Sequence, residues 1–466
     1  MKRASDWNWA GLRARVVNLG TALVIAAPAS RPLLAEPASL PEPVIPRGFG
    51  VNIHFTGAPA DLDRIAEAGF AVVRMDLGWG AVERERGVYN FACAGYDELT
   101  AACGQRGIRL LYILDYSNRL YEEDRSVRTD EGRQAYAAFA AAAARRYAGK
   151  KIIWEIWNEP NLEQFWTPQP SVDDYCALVA ATAPRVREAD PSGVIVAPAC
   201  SGIPLDWLES CFARGLLDWV DALSLHPYRS KAPETVIEDY ARLRALVDRH
   251  APAGKQVPIL SGEWGYSEIN WDRSRLAPEE QAQYLTRMFL VNLEQKVPIS
   301  IWYDWKDDGT DPDEREHHFG TVAHDLAPKP ACRAMATLAR LLAGYSVAER
   351  VDTGDERDFV VRLRRGAEEA AAAWTLGPGH PIVIPVQIDE PIARDIEGAP
   401  VTAAKRPRGV EVSVSSSPVY ILPSSRTGNA STRATLRTEP RPLSNGSTRP
   451  VSASTGERAV SRPQRR

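Results

Sequence analysis

Short apolar runs alternate with longer helical patterns from residue 48 onward, and eight of the runs read as strands. They are Gly48–Phe55, Ala71–Leu77, Leu110–Tyr116, Ile152–Glu159, Val194–Ala199, Ala222–Tyr228, Pro258–Trp264 and Ile299–Trp305. Each lacks the three-to-four spacing of a surface helix and is rich in β-branched or aromatic residues, as expected of strands covered on both faces. Between them lie amphipathic or Ala-rich stretches: Asp61–Ala68, Glu131–Tyr147, Val172–Glu188, Pro233–His250, Pro278–Gln295 and Pro330–Leu342. Eight strand-helix units over about 300 residues predict an α/β fold, a (β/α)8 TIM barrel over residues 47–343. A doubly wound open sheet is the alternative, but no Gly-rich phosphate loop follows any strand. Beyond Gly344 the pattern changes to short strands between Gly- and Pro-containing turns, including Phe359–Leu363, Ala371–Thr375, Ile382–Pro385, Val410–Val414 and Val419–Leu422. Residues 344–423 therefore read as a small β-sandwich domain, with Trp374 in its core.

In such a barrel the chemistry belongs at the C-terminal ends of the strands, and polar and aromatic residues collect there in this chain. The fourth strand runs Ile152 to Trp157 and ends at Asn158-Glu159-Pro160. Pro160 disfavours the helical region for the residue before it, which predicts an extended Glu159 at the strand's last position. The seventh strand ends likewise in an acid, Ser261-Gly262-Glu263-Trp264. Strands 4 and 7 stand on roughly opposite sides of a small barrel, so both glutamates can face one cleft. That arrangement suits cleavage of a glycosidic bond, which needs one acid to protonate the leaving oxygen and one carboxylate at the anomeric carbon. Glu155 shares the strand parity of Glu159, so it should point into the barrel below the site and need a cationic or hydrogen-bonding partner. Asp76, Asp115, Tyr116, Asn52 and His54 also sit at strand ends and can line neighbouring subsites.

Trp157-Asn158-Glu159-Pro160 followed by Gly262-Glu263 resembles the retaining glycoside hydrolases of clan A. With Gly50-Val51-Asn52-Ile53-His54-Phe55, Val73-Arg74-Met75-Asp76-Leu77-Gly78-Trp79, Leu225-His226-Pro227-Tyr228-Arg229 and Ser261 to Tyr266, the chain is similar to glycoside hydrolase family 39. Within it, residues 47–423 most resemble bacterial endoglycosidases encoded with exopolysaccharide biosynthesis systems. The resemblance implies double displacement, with Glu159 as acid/base, Glu263 as nucleophile and Asn158 on the sugar's 2-hydroxyl. It also implies that His226 and Tyr228 order the two carboxylates and bind sugar. Arg74 is the expected partner of Glu263, because a nearby fixed cation favours a carboxylate, while apolar surroundings from Trp154 and Trp157 would raise the Glu159 pKa. Trp302 and Trp305 close strand 8 and are candidate stacking platforms for a pyranose, with burial in the barrel core as the competing reading.

The termini carry their own signals. Lys2, Arg3, Arg13 and Arg15 precede the apolar run Val16 to Ala29, which closes on Ala27-Pro28-Ala29 and reads as a signal peptide over 1–29, with an uncleaved anchor as the alternative. A Pro-rich linker (30–46) follows. Residues 424–466, rich in Ser, Thr, Arg and Pro, read as a disordered basic tail. The net charge is −4 over 466 residues; removing the +3 of residues 1–29 and the +7 of 424–466 leaves −14 on 30–423. An acidic body argues against nucleic acid as partner and leaves a polysaccharide substrate open. The expected product is thus an exported, periplasmic or extracellular monomer acting on a polysaccharide or oligosaccharide, with loose membrane or export-machinery association through its basic ends. Two rival functions remain, an exo-acting β-xylosidase-like enzyme and a non-catalytic polysaccharide-binding or export component. Of the six cysteines, Cys93/Cys103 and Cys200/Cys211 are near enough in sequence for local disulfides, and reduced core cysteines are the alternative. The polar loop Lys306–Asp325 carries Asp307, Asp308, Asp311, Asp313, Glu314, Glu316, His317 and His318, whose spacing matches no EF-hand or helical His pair. It reads as a solvated acidic loop. Neither metal nor other cofactor is expected.

Overall fold

Eight parallel strands close into a barrel in the computed structural model, which describes residues 39–424. They are β1 (Phe49–Asn52), β2 (Val72–Gly78), β3 (Arg109–Asp115), β4 (Ile153–Ile156), β5 (Val194–Ser201), β6 (Ala222–His226), β7 (Ile259–Trp264) and β8 (Ser300–Trp302), each beside its neighbour in sequence, with β1 pairing both β2 and β8. The signal segment, linker residues 30–38 and the tail from 425 lie outside the described residues. Residues 44–46 of the linker dock onto the fold: Ile45 N donates to Tyr345 O at 2.9 Å and Gly344 N to Ile45 O at 2.8 Å.

The period-two alternation of the strands separates two cores. Val72, Leu111, Ile113, Ile153, Val194, Val196, Leu260, Ile299 and Ile301 pack on one another inside the barrel, each such burial being worth about 1.5–3 kcal/mol. The opposite parity faces the surrounding helices, where Ala140, Ala143 and Ala144 of helix Asp130–Arg146 are fully buried. That helix starts where Thr129 accepts a hydrogen bond from Gly132 N, and helix Val172–Ala189 starts on Ser171 in the same way. Inward-pointing positions become polar toward the strand ends: Arg74 and Asp76 above Val72, Glu155 above Ile153, Ser224 and His226 above Ala222. Polar groups thus collect at one mouth of an apolar barrel.

The last helix, Pro330–Leu341, leads into antiparallel sheets built of β9 (Ser346–Val351), β10 (Asp358–Arg365), β11 (Glu368–Thr375), β12 (His380–Ile384), β13 (Pro391–Arg394), β14 (Pro400–Val401), β15 (Ala403–Arg406), β16 (Gly409–Val414) and β17 (Val419–Pro423). A six-stranded sheet ordered β9-β10-β11-β17-β13-β14 lies with a three-stranded one ordered β12-β16-β15 around Val360, Ala371, Ile384, Val412 and Ile421. Trp374 is fully buried, stacked on Phe359 at 5.3 Å, and its indole donates to Glu234 Oε1 at 2.7 Å. Glu234 in turn accepts two hydrogen bonds from Arg287, at 2.7 and 2.6 Å, so this buried ion pair joins barrel to sandwich. All six cysteines are unbridged, four of them buried, which is the reduced-core alternative rather than the local disulfides. Asp307 departs from the solvated loop foreseen for it: its side chain is buried, accepts from Gly320 N at 2.8 Å and pairs with Lys329 at 3.1 Å.

Candidate active site

Arg74 is the hub of the polar mouth. It is 1% exposed, and its Nε donates to Glu155 Oε1 at 2.8 Å, Nη1 to Asn52 Oδ1 at 3.0 Å and Nη2 to Asn158 Oδ1 at 2.7 Å. Nη1 also makes a short ion pair with Glu263 Oε2, and Nη2 lies 3.3 Å from His226 Nε2. Glu155 is wholly buried, with Arg74 on one oxygen and the Ser224 hydroxyl on the other, so the partner its strand position demands is present. Gly262 is required by the same packing: a Cβ there would lie 2.0 Å from Ser224 Oγ and 3.1 Å from Glu155 Oε2.

Glu263 reaches the cleft through an irregularity rather than by simple alternation. β7 and β8 pair as Ser261 with Ser300 and then Trp264 with Trp302, so two residues of β7, Gly262 and Glu263, oppose the single Ile301. This bulge turns the Glu263 side chain toward the barrel axis. There its Oε1 accepts from the Tyr228 hydroxyl at 2.8 Å while Oε2 takes Arg74.

Glu159 is not at the end of an extended strand. β4 stops at Ile156, and Trp157 (φ 71°) and Glu159 (φ 46°) both adopt left-handed backbone, as does Ala199 (φ 54°) on the neighbouring strand. Such residues cost of order 1–3 kcal/mol each and persist where their surroundings fix them. Here Glu159 N donates to Ala199 O at 2.9 Å, and Asn161 exchanges two hydrogen bonds with the Ser201 backbone at 3.0 and 2.9 Å. Pro160 disfavours the helical region, but tethering to β5 selects the left-handed conformation over the extended one.

The two glutamates sit in different surroundings. Burial raises the Glu159 pKa to about 7, against the opposing pull of its hydrogen bond to Ser201 and of Arg74. Trp154 contributes nothing to this, because it lies on the helix-facing side, bonded to Asp190 at 3.2 Å and stacked near Tyr112. Trp157 is buried under Tyr116, edge to face at 5.4 Å. His226, fully buried, has its pKa lowered to about 4 by burial, with Glu263 pulling it back up and Arg74 lowering it further, so its ring is neutral near pH 7. The arginine at Nε2 can only donate, so Nε2 accepts and the proton resides on Nδ1, which faces Glu159 Oε1 at 3.0 Å. The proton that Glu159 itself carries is thereby left to its other oxygen, Oε2. One carboxylate oxygen from each of Glu159 and Glu263 and a ring nitrogen of His226 lie within 4.8 Å of one another. Asn158 completes the group, with its amide nitrogen donating to Tyr116 Oη at 3.1 Å.

Eight residues were singled out from sequence, and six converge: Glu159, Glu263, Asn158, Arg74, His226 and Tyr228. Trp302 and Trp305 do not. They are 0% and 1% exposed, their indoles donating to Phe319 O at 3.3 Å and Asp61 Oδ1 at 3.2 Å. The core reading holds for both, since Trp302 has the outward parity of Ser300. Tyr303, next in the inward series Ile299, Ile301, is instead the half-buried aromatic of this strand end, 6.4 Å from Tyr228, 5.6 Å from His54 and 5.2 Å from Phe319. Asn52, expected to line a subsite, supports Arg74, while Ser201 and Ser224 support Glu159 and Glu155 with no motif to mark them, though Ser224 is readable as the inward residue two before His226.

Known proteins share sequence and fold with this chain. Residues 42–309 match the model of the cellulase family (glycosyl hydrolase family 5). A curated relative, the "Beta-xylosidase" of Geobacillus stearothermophilus, is 26% identical over 271 residues, covering 52% of this chain and 51% of that protein; the match spans about half the relative's length. A family 39 glycoside hydrolase from Bacteroides cellulosilyticus WH2 superposes with a TM-score of 0.72 at 24% identity, covering 82% of both chains. A family 39 β-xylosidase from Caulobacter crescentus does so with 0.60 at 18%, covering 83% of this chain and 98% of that one.

Proposed function

This chain belongs to the cellulase family of glycosyl hydrolases (family 5), in clan A, and we propose that it is a retaining endo-glycosidase in which Glu159 is acid/base and Glu263 nucleophile. The observation that carries the proposal is the close pair of glutamates in unlike environments. A retaining pair needs carboxyl groups about 5–5.5 Å apart, whereas an inverting pair stands about 6.5–9.5 Å apart to admit water. One oxygen of each lies within 4.8 Å of the other, a spacing that a retaining pair allows, and membership of a retaining clan supports that case. Glu159, buried and with a pKa of about 7, holds a proton to deliver to the leaving oxygen. Glu263, paired with Arg74 and bonded by Tyr228, is placed to attack the anomeric carbon, after which Glu159 takes a proton from water to release the sugar.

The endo mode, an exopolysaccharide substrate, a place in family 39 and export all rest on the sequence motifs and the apolar run Val16 to Ala29. A second reading, exo-acting release of single sugars, takes its support from the Geobacillus relative. Product analysis separates them: incubating the protein with the producer's own exopolysaccharide should give shortened oligosaccharides. Monosaccharide alone would favour the exo mode, and a bound but uncut polymer would favour a binding component. The pH profile is a further check. Because the acid must be protonated, kcat/KM should fall as pH rises through about 7, and an enzyme whose rate stays level from pH 6 to 9 would remove Glu159 from that role.

A further inference from the structure

Beyond Tyr303, on the side of β1 and β8, lies a cavity of about 160 Å3 lined by His54, Phe55, Asp304, Lys306, Asp308 and His324. Asn52 links its lining to the candidate site by hydrogen bonds: its Oδ1 accepts from Arg74 and its Nδ2 faces His54 Nε2 at 3.4 Å. Since Arg74 fixes the orientation of that amide, its nitrogen donates to His54, and Nε2 presents a lone pair. Across from it, at 3.5 Å, stands Asp304 Oδ2. With Asp304 ionised, two acceptors confront each other. Asp304 is 2% exposed and its second oxygen, Oδ1, is buried with no hydrogen-bond partner. Asp308 adds another carboxylate within 4.8 Å of both ligand atoms, and among the described residues no Lys or Arg side chain pairs with either acid.

A cluster with these properties lacks a cation that carries several N–H donors. A buried carboxylate without a partner is costly, and a neutral hydroxyl offers one proton where at least three acceptors converge. The volume equals the share of about five liquid waters, far more than a bare metal ion fills and enough for part of a sugar ring. We propose that this pocket binds a protonated primary amine on a sugar of the substrate, held by Asp304, Asp308 and His54, so that the enzyme selects a polysaccharide containing free amino sugars. This rests on the glycosidase reading above and names its substrate class. Burial holds the free Asp304 carboxyl well above the usual carboxylate range, with Asp308 and Asp307 adding to it and the more distant Lys329, engaged with Asp307, only partly opposing it.

The test uses the full chain and three matched pairs, glucosamine, galactosamine and mannosamine beside glucose, galactose and mannose, with affinities read by calorimetry or ligand-observed NMR. At least one amino sugar should bind about tenfold or more tightly than its hydroxyl parent, as a charge-assisted hydrogen bond requires. Asp304→Asn and Asp308→Asn should each remove most of that advantage. Asp308 is exposed, so its variant guards against loss of folding as the cause. Equal affinity within each pair, no amino-sugar binding at tens of millimolar, or an advantage that survives both variants would overturn the proposal. So would tight binding of Zn2+ or Mn2+ by the wild type and not by Asp304→Asn, which would make this a metal site. Polymer cleavage is scored separately: an amine preference without cleavage would retain the pocket and remove the hydrolase.

Discussion

Glu159→Gln should lower turnover of natural glycosides by about 10²–10⁴-fold, the usual range for loss of a general acid, while leaving the fold intact. The amide keeps the size of the side chain and can still accept the Nδ1–H of His226, but it has no proton to give. The loss should depend on the leaving group. An aryl glycoside whose phenolate departs unaided needs no acid in the first step, so its sugar should still be transferred to Glu263, and only the release by water should slow. The signature is a burst of phenol followed by a slow steady state. The alkaline limb near pH 7 should also vanish, since the group responsible is gone. Equal losses on aryl and alkyl glycosides would place Glu159 in a structural role and assign the proton to another group.

Much of this site was legible because the strand ends carry its chemistry. Arg74, Glu155, Ser224 and His226 follow from inward parity above apolar residues, and that alternation is a property of any strand. The same rule, counted from Ile299 and Ile301, selects Tyr303 over Trp302; residue type drew attention to the wrong aromatic. Glu263 was found by its motif, yet its aim depends on a bulge that a one-dimensional pattern does not contain. Nor does Pro160 distinguish extended from left-handed backbone at Glu159, because the choice is made by Ala199 O on another strand. The confrontation of His54 with Asp304 joins the first and last strands of a closed barrel, so it exists only once the barrel closes. Eight strand-type runs were enough for the barrel itself. The sandwich was read less completely, since β9, β13, β14 and β15 are short or only partly buried and give weak alternation.

Arg74→Met should be the most damaging substitution to fold and chemistry together. Arg74 and Glu155 are 1% and 0% exposed, and removing one member of such a pair leaves a buried charge whose cost is about 3–5 kcal/mol. The urea midpoint should fall accordingly. Activity should fall by at least about 10²-fold, because Glu263 loses its cation and Asn158 its anchor at once. The double variant Arg74→Met/Glu155→Gln separates these effects. Neutralising the buried acid removes the uncompensated charge, so stability should recover by most of the loss, as replacement of whole buried pairs is often nearly neutral. Activity should not recover, since nothing restores the contact to Glu263 Oε2. If the double variant is no more stable than Arg74→Met, then Glu155 is not the acid that Arg74 compensates. If instead activity returns with stability, the guanidinium serves only the fold, and the polarity of Glu263 must come from Tyr228 and the cleft.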